Sequence, residues 1–386
     1  MKSVELFVGA GGLGIGVSQA GFEPVAVVDW DRWACDTIRE NSERGLSPLD
    51  KWPLTEGDVS LFDFGTLAGP IDLVTGGPPC QPFSLGGQHR AFLDKRDMFP
   101  QAIRAVRELR PRAFVFENVK GLTRSTFANY LEYIRLQLRH PDLTARHEEP
   151  WLCHLARLED YETAGRHDGL HYNVVMRVLN AADYGVPQKR ERVFIVGFRA
   201  DLGVEWHFPT PTHSQDALLW WQYRTDLYWD LHRVAKKDRP APSRGSARAA
   251  LMRQFPMTEP WQTVRDAISD LPDPELMPGD FCGHHGHKFQ PGARSYPGHT
   301  GSPMDEPAKT LKAGVHGVPG GENMLRRADG SVRYFSVRES ARLQTFPDEM
   351  VFHGSWTEAM RQLGNAVPCK LGAQVAAQVR DCLIQV

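Results

Sequence analysis

One cysteine of the sequence stands in a setting that favours a nucleophile. Cys80 lies in residues 77–84 (GPPCQPFS), directly after a glycine and the apolar run 71–74 (IDLV). A lone cysteine is most often an inert, buried residue. Because prolines cannot donate the hydrogen bonds of a sheet interior, this segment is a poor core filler and favours a rigid turn. We therefore predict that the turn presents the Cys80 thiol as a nucleophile.

A carboxylate and two arginines adjoin two other apolar runs. Glu117 directly follows residues 113–116 (AFVF), while Arg190 and Arg192 lead into residues 193–196 (VFIV). Glu117 is either a helix cap or a catalytic acid. Arginines that alternate into a strand place their guanidinium groups on one face, where they can bind carboxylates or phosphates. A solvated edge strand would show the same alternation.

A glycine-rich segment and two aspartates indicate a nucleotide-like cofactor. The apolar residues 4–8 lead into glycines at positions 9, 11, 12, 14 and 16, which let a backbone approach a ligand closely. Asp29 ends the next apolar run, at a spacing where an acid commonly binds ribose hydroxyls. Asp58 follows Gly57 and could accept a hydrogen bond from an adenine amino group. The glycine pattern alone is also typical of nicotinamide dehydrogenases and of ordinary turns.

These candidate residues follow short apolar runs that alternate with helix-like spacers. Such an alternation predicts an α/β fold with a mostly parallel sheet and helices on both faces. In sheets of this kind ligands bind beyond the carboxyl ends of the strands. We also expect a helix to begin after Asp31, which would cap it.

Composition limits the class of protein. The chain has 386 residues, of which 41% are hydrophobic and 24% charged, and its net charge is −2. These values predict two or three folding units and exclude a polybasic or wholly disordered protein. Six scattered cysteines indicate a reducing compartment. Without an apolar run of membrane length or a signal-like start, we expect a soluble, cytoplasmic protein.

Six segments in order along the chain resemble the conserved blocks of the cytosine-5 DNA methyltransferase family. They are residues 7–12 (FVGAGG), 77–84 (GPPCQPFS), 117–119 (ENV), 188–192 (QKRER), 338–347 (RESARLQTFP) and 364–368 (GNAVP). The resemblance implies a Rossmann-like methyltransferase sheet and transfer of a methyl group from S-adenosylmethionine to carbon 5 of a cytosine in double-stranded DNA.

The same resemblance gives the candidate residues their roles. Cys80 would add to carbon 6 of the cytosine, which makes carbon 5 nucleophilic. Glu117 would protonate or hydrogen-bond ring nitrogen 3 and the amino group, and Arg192 with Arg190 would orient Glu117 and the base. The residues implied to hold the cofactor are Phe7, Gly9, Gly11, Gly12, Leu13, Asp29, Trp30, Asp58, Val59, Pro79 and Asn365.

Two regions are expected to bind DNA. The basic loop after Cys80 resembles a family loop that closes over DNA while the target base is flipped out, and its implied contacts are Gln81, Ser84, Arg90 and Arg96. Residues 200–336 lose the α/β rhythm and lie where the family places its target-recognition domain, with residues 314–321 as a groove-facing or hinge loop. Residues 1–199 and 337–386 would then form a discontinuous catalytic domain.

A local excess of basic residues within the expected recognition domain suggests phosphate contacts. Lys236, Lys237 and Arg239 lie in a stretch from 233 to 253 whose one acidic residue is Asp238. We expect no metal site, because the cysteine and histidines at positions 282, 284, 285 and 287 are too closely spaced for one tetrahedral ion and have no matching pair.

Because no regulatory regions are added to the catalytic blocks, we expect the modification enzyme of a bacterial restriction–modification system. We expect it to be a monomer at the nucleoid, with a cognate endonuclease that acts on the same site. Three alternatives remain at this stage. The enzyme could act on RNA, the chain could be a DNA-binding regulator without activity, or the glycine loop could belong to a nicotinamide dehydrogenase.

Overall fold

The computed structural model of the protein describes residues 1–79, 97–165, 169–241, 244–276, 284–313 and 323–386. None of the helices in these ranges is long and apolar enough to cross a membrane.

A seven-stranded sheet organises the first half of the chain. Its strands, in chain order, are β1 (Lys2–Leu6), β2 (Glu23–Asp29), β3 (Leu54–Glu56), β4 (Leu73–Gly76), β5 (Ala113–Val119), β6 (Tyr172–Asn180) and β7 (Glu191–Arg199). They lie side by side in the order β3-β2-β1-β4-β5-β7-β6. The first five strands are parallel to one another, and β7 is antiparallel to both β5 and β6. The predicted α/β class with a mostly parallel sheet is confirmed.

Helices cover both faces of this sheet. The helices of the first half are α1 (Gly12–Gln19), α2 (Arg32–Glu43), α3 (Phe99–Leu109), α4 (Ala128–Arg139) and α5 (Trp151–Thr163). On one face, side chains of α3, α4 and α5 pack with those of the sheet, such as Phe114 and Phe116. On the other face, α1 packs with the sheet and with the last helix of the chain. Asp31 accepts a hydrogen bond from the Ala34 amide and caps α2, as predicted.

The last part of the chain returns to the sheet. It contains α10 (Val337–Leu343), α11 (Trp356–Asn365) and α12 (Cys369–Ile384). Helix α12 lies against α1 so closely that a Cβ atom at Gly16 would be 2.5 Å from the backbone nitrogen of Ala373. This contact requires glycine at position 16 and brings the C-terminal helix beside the loop that follows β1.

Residues 200–336 form smaller elements outside the large sheet. The helices are α6 (Gln215–Tyr223), α7 (Leu227–Leu231), α8 (Arg244–Leu251) and α9 (Val264–Ile268). The short strands are β8 (His213–Ser214), β9 (Glu259–Pro260), β10 (Ser302–Pro303), β11 (Met324–Arg326) and β12 (Val332–Tyr334). Two small apolar clusters hold this region together, one around Trp229 and the other around Phe335.

The strand order creates a crevice at the centre of the sheet. From β1 the chain proceeds to β2 and β3 on one side, and then crosses to β4 on the other side of β1. The loops after β1 and β4 therefore diverge, which opens a space between them at the carboxyl ends of the strands. These two loops carry the first glycine block and the segment that leads to Cys80.

Candidate active site

The loop after β1 adopts backbone conformations that suit glycine. Gly9 and Gly11 have φ angles of 55° and 91°, in the left-handed region. A Cβ atom at Gly9 would meet nothing within 4 Å, so the backbone there borders open space. The Gly9 amide donates a hydrogen bond of 2.7 Å to the carboxylate of Asp29. The loop is thus fixed to the end of β2 while one side of its backbone stays accessible.

Asp29 is buried and already partly engaged. Its second carboxylate oxygen accepts a hydrogen bond of 2.8 Å from the Asp31 amide. Burial raises the pKa of Asp29, and the backbone hydrogen bonds from Asp31 and Gly9 oppose that shift. Beside it, the side chain of Trp30 is 73% exposed, which is unusual for an indole on an ordered segment. A buried carboxylate next to an uncovered aromatic ring can bind a ribose and its attached base.

The turn after β3 adds a further carboxylate on the same edge of the sheet. Asp58 accepts a hydrogen bond of 2.8 Å from the Ser60 amide and caps the short 3-10 turn Val59–Leu61. Since β2 and β3 pair in parallel with Asp29 opposite Glu56, this turn adjoins the end of β2. The glycine loop, Asp29, Trp30 and the Asp58 turn together fit a nucleoside-containing cofactor.

The last sequence block contacts the glycine loop. A Cβ atom at Gly12 would collide with the carbonyl oxygen of Val367. Asn365 ends α11 two residues earlier, and its side chain is exposed. Leu13 is buried against α12, where a Cβ atom at Gly372 would lie 3.3 Å from it. The structure therefore places Asn365 close to the loop after β1, while Leu13 packs in the helix interface beneath that loop.

The carboxylate at the end of β5 forms a buried ion pair. Nε of Arg192 lies 2.8 Å from Oε1 of Glu117, whose side chain is buried, while that of Arg192 is 13% exposed. Burial raises the pKa of Glu117, whereas the positive charges of Arg192 and Arg190 act to lower it. The raised pKa allows this carboxyl group to hold a proton closer to neutral pH than an exposed glutamate does.

The segment that leads to Cys80 is fixed against the end of β5. The Asn118 side chain donates a hydrogen bond of 2.9 Å to the Pro78 carbonyl, and a Cβ atom at Gly77 would lie 3.4 Å from Oε2 of Glu117. On the far side of the loop, the Met98 amide donates to the carbonyl of Pro79. Residues 77 and 78 therefore lie beside the end of β5, where Glu117 is located. The predicted residues Cys80, Gln81, Ser84, Arg90 and Arg96 lie outside the described residues.

Arg190 differs from its neighbour Arg192. Its side chain is fully buried, and its guanidinium donates to the carbonyls of Leu311 and Gly364, at 2.9 and 2.7 Å. Arg190 therefore influences Glu117 through its charge, while its hydrogen bonds join β7 to two distant segments. The expectation that Arg190 helps to orient Glu117 stays a prediction, and the effect would act through charge.

Gln188 is a residue whose role the sequence did not indicate. Its side-chain amide donates to the Leu343 carbonyl and accepts from the Leu311 amide. The backbone of residues 308–310 is held to residues 187–189 by further hydrogen bonds. Gln188 and Arg190 are two residues apart, so in an extended segment their side chains lie on the same face. This spacing is the sequence signal that could have indicated a shared structural role.

Not all basic residues of the stretch 233–253 are available to bind a ligand. Lys236 and Lys237 are exposed. Arg239, in contrast, lies 3.0 Å from Asp226 and 3.8 Å from Asp230, and its guanidinium covers the Trp229 ring. Its side chain is only 16% exposed. The charge of Arg239 is thus paired with acidic residues of the same chain, and its contact with a phosphate stays a prediction.

The histidines near position 285 make contacts within the protein. His287 is buried, with Nδ1 2.8 Å from the Ser336 hydroxyl and Nε2 2.7 Å from the Pro272 carbonyl. His285 contacts Arg44. Cys282 and the expected hinge loop 314–321 lie outside the described residues. In the ranges that the structure covers, no group of three or more histidine, cysteine or acidic residues could hold a metal ion.

Comparison with known proteins gives a consistent result. The sequence model of the C-5 cytosine-specific DNA methylases matches residues 1–143 and 162–381. The Type II methyltransferase M.PspPI of Psychrobacter sp. (strain TA137) is 32% identical over 385 residues, which cover 97% of this chain and 78% of the relative. The Type II methyltransferase M.Eco47II of Escherichia coli is 32% identical over 383 residues, with the same coverages of 97% and 78%.

A solved structure agrees in fold. A DNA modification methyltransferase encoded within an E. coli prophage superposes with a TM-score of 0.62 at 20% sequence identity. The superposition covers 100% of this chain and 99% of the other. This likeness supports the arrangement of the whole chain, including the region outside the large sheet.

Proposed function

Because the chain belongs to the C-5 cytosine-specific DNA methylase family, and is thus a DNA cytosine-5 methyltransferase, we propose that S-adenosylmethionine is its methyl donor and double-stranded DNA its substrate. The observation that carries the proposal is the buried Glu117–Arg192 pair, which borders the segment leading to Cys80. A carboxyl group with a raised pKa beside a cysteine-bearing turn suits activation of a cytosine ring.

The cofactor would lie across the ends of β1, β2 and β3. The glycine loop (Phe7, Gly9, Gly11, Gly12 and Leu13) would border its methionine part through the accessible backbone at Gly9, with Pro79 and Asn365 at the sides. Asp29 would accept hydrogen bonds from the ribose hydroxyls, Trp30 would stack on the adenine, and Asp58 with Val59 would bind the adenine edge. When bound, S-adenosylmethionine supplies an electrophilic methyl group.

The chain's own residues would prepare the cytosine. The Cys80 thiolate adds to carbon 6, and this bond places electron density on carbon 5 and the ring. Glu117 gives or shares a proton at ring nitrogen 3, which stabilises the added charge. Arg192 orients Glu117 through their ion pair. After methyl transfer, loss of the carbon 5 proton and departure of Cys80 restore the aromatic ring.

A base inside a duplex cannot reach these groups. The target cytosine must therefore leave the stack, at a cost of a few kcal/mol that contacts to the opened DNA offset. We assign such contacts to the loop residues Gln81, Ser84, Arg90 and Arg96, and phosphate contacts to Lys236 and Lys237. In this division, residues 1–199 and 337–386 catalyse the reaction and residues 200–336 recognise the target sequence.

The two relatives named above are both Type II methyltransferases, and this supports a role in restriction–modification. In that role the chain acts as a monomer on bacterial DNA in the cytoplasm. Its methylation protects the site that a cognate endonuclease cuts.

The decisive experiment uses duplex DNA with 5-fluorocytosine at the target position. Fluorine cannot leave as a cation, so after methyl transfer a covalent complex through Cys80 should persist under denaturing conditions, and only when S-adenosylmethionine is present. Cys80→Ser, which provides a much weaker nucleophile, is the control and should form no complex. Recovery of free wild-type enzyme alone would contradict the mechanism. Trapping on a matched RNA instead would identify RNA as the substrate.

A further inference from the structure

We propose that Arg104 is a positioning residue that holds the turn carrying Asp58 and Val59 in the orientation required to bind adenine. Arg104 belongs to none of the six sequence blocks and lies on α3, which is remote in sequence from that turn. The inference rests on the proposed function, because it takes the residue 58–59 turn as the adenine site.

The guanidinium of Arg104 joins α3 to this turn through backbone carbonyls. Nη2 donates a hydrogen bond of 2.6 Å to the Val59 carbonyl, and Nη1 donates one of 3.2 Å to the Phe62 carbonyl. These two acceptors flank the turn. A planar guanidinium can bind both at once with fixed geometry, which a lysine ammonium on its flexible stem cannot reproduce.

Other contacts hold the guanidinium itself in place. Nε of Arg104 donates a hydrogen bond of 2.8 Å to the side-chain oxygen of Gln101. A carboxylate oxygen of Glu108 lies 3.2 Å from Nη1. The charged group also lies over the Phe64 ring, 4.6 Å from its centroid. The Arg104 side chain is only 19% exposed. Hydrogen bonds from a partly buried charged donor contribute more to stability than hydrogen bonds at an exposed surface.

The turn is also held to β2, where the Gly57 amide donates a hydrogen bond of 2.8 Å to the Asp29 carbonyl, and by the Asp58 cap. It is a single 3-10 turn in which Val59 is buried and Leu61 is 84% exposed. A Cβ atom at the preceding Gly57 would meet nothing within 4 Å. An isolated 3-10 turn has poor internal hydrogen bonds. The Arg104 contacts join the Val59 and Phe62 carbonyls to α3, and they add the fixed orientation that the turn's own hydrogen bonds do not supply.

The test measures binding of two homocysteine nucleosides by calorimetry, without turnover. S-adenosylhomocysteine carries the adenine amino group, and S-inosylhomocysteine has oxygen in its place. We expect Arg104→Met to weaken S-adenosylhomocysteine about tenfold. The variant should bind S-inosylhomocysteine nearly as the wild type does, so that discrimination between the two ligands is largely lost. In kinetics, KM for the cofactor should rise while kcat changes little.

Arg107→Met is the matched control, since Arg107 lies on the same helix and forms no hydrogen bond or ion pair among the described residues. It should leave both affinities within twofold of wild type. Arg104→Lys retains the positive charge over Phe64 and should give an intermediate affinity with an unchanged melting temperature. If Arg104→Met discriminates like Arg107→Met, or if Arg104→Lys matches the wild type, the positioning role is refuted.

A separate variant distinguishes this inference from the proposed function. Asp58→Asn should itself reduce discrimination between the two ligands. If Asp58→Asn behaves as wild type, the assignment of the adenine site is wrong. If Asp58→Asn no longer discriminates between the two ligands but Arg104→Met does, the adenine site is correctly assigned and the positioning role of Arg104 is refuted.

Discussion

Replacement of Arg192 by methionine should make the stability of the protein strongly dependent on the protonation of Glu117. In the structure Glu117 is buried, Arg192 is nearly so, and Nε of Arg192 lies 2.8 Å from Oε1 of Glu117. Methionine preserves much of the apolar stem of arginine but removes its charge. The variant thus leaves Glu117 in a low-dielectric site without its ion-pair partner, and removal of one partner of a buried pair costs about 3–5 kcal/mol.

The sign of the pH dependence follows from the pKa of Glu117. Burial raises that pKa above its ordinary value of 4.5. Stability from this carboxyl group is therefore present below pH 4.5 and is lost as the pH rises through the folded-state pKa. The charge of Arg192 limits this loss, because it stabilises the carboxylate. Without Arg192 the folded-state pKa rises further, so the variant loses more stability than the wild type on the alkaline side.

The expected effect is measurable as a melting temperature. An unfolding entropy of about 2.1 cal/mol/K per residue gives roughly 0.8 kcal/mol/K for a chain of 386 residues. A loss of 3–5 kcal/mol then lowers the melting temperature by about 4–6 °C. We expect this difference between Arg192→Met and wild type at pH 8, and a clearly smaller one at pH 5.

Differential scanning fluorimetry at both pH values provides the test. The control compares Glu117→Gln with the double variant Glu117→Gln/Arg192→Met. Glutamine cannot titrate, so Arg192→Met added to Glu117→Gln should lower the melting temperature equally at pH 5 and pH 8. The reasoning is refuted if Arg192→Met in the wild-type background gives the same decrease at both pH values. It is also refuted if the pH dependence survives in the Glu117→Gln background.

Three further variants test the other assignments. Asp29→Ala should weaken S-adenosylmethionine binding at least tenfold in calorimetry and leave DNA affinity without cofactor unchanged, whereas an unchanged cofactor affinity would contradict the ribose assignment. Joint replacement of Lys236 and Lys237 by glutamine should lower the slope of log K against log salt by about two in fluorescence anisotropy, and a wild-type slope would make them a solvated face. Arg239→Gln should lower the melting temperature without a change in that slope, because Arg239 pairs with Asp226.

The sequence was most informative where function depends on local backbone geometry. The apolar runs and the glycines that follow them predicted the α/β class, and the seven-stranded sheet confirms it. Asp31 was recognised as a cap because capping involves neighbours only three residues apart. Since strand ends meet at one edge of a parallel sheet, the order of the runs also predicted that Asp29 and the glycine loop would lie together.

Contacts between segments that are far apart in the sequence could not be predicted in this way. Arg190 reaches Leu311 and Gly364, which are 121 and 174 residues away along the chain. A short motif shows that an arginine is present but does not show which carbonyls it will meet. The ion pair of Arg239 was missed for a related reason, because the count of charges began at residue 233 and left out Asp226. The turn at Asp226, where φ is 57°, brings that acidic residue back towards Arg239.

The internal pairing of arginines bears on how this protein can bind DNA with a net charge of −2. Within residues 200–336, Arg239, Arg248 and Arg265 each lie within 3.0 Å of an aspartate of the same chain. A phosphate would have to displace that aspartate, so these arginines stabilise the fold more than they attract DNA. Under the assignment proposed above, phosphate contacts come from exposed lysines such as Lys236 and from the basic residues after Cys80, and each lost contact should lower the salt slope by about one.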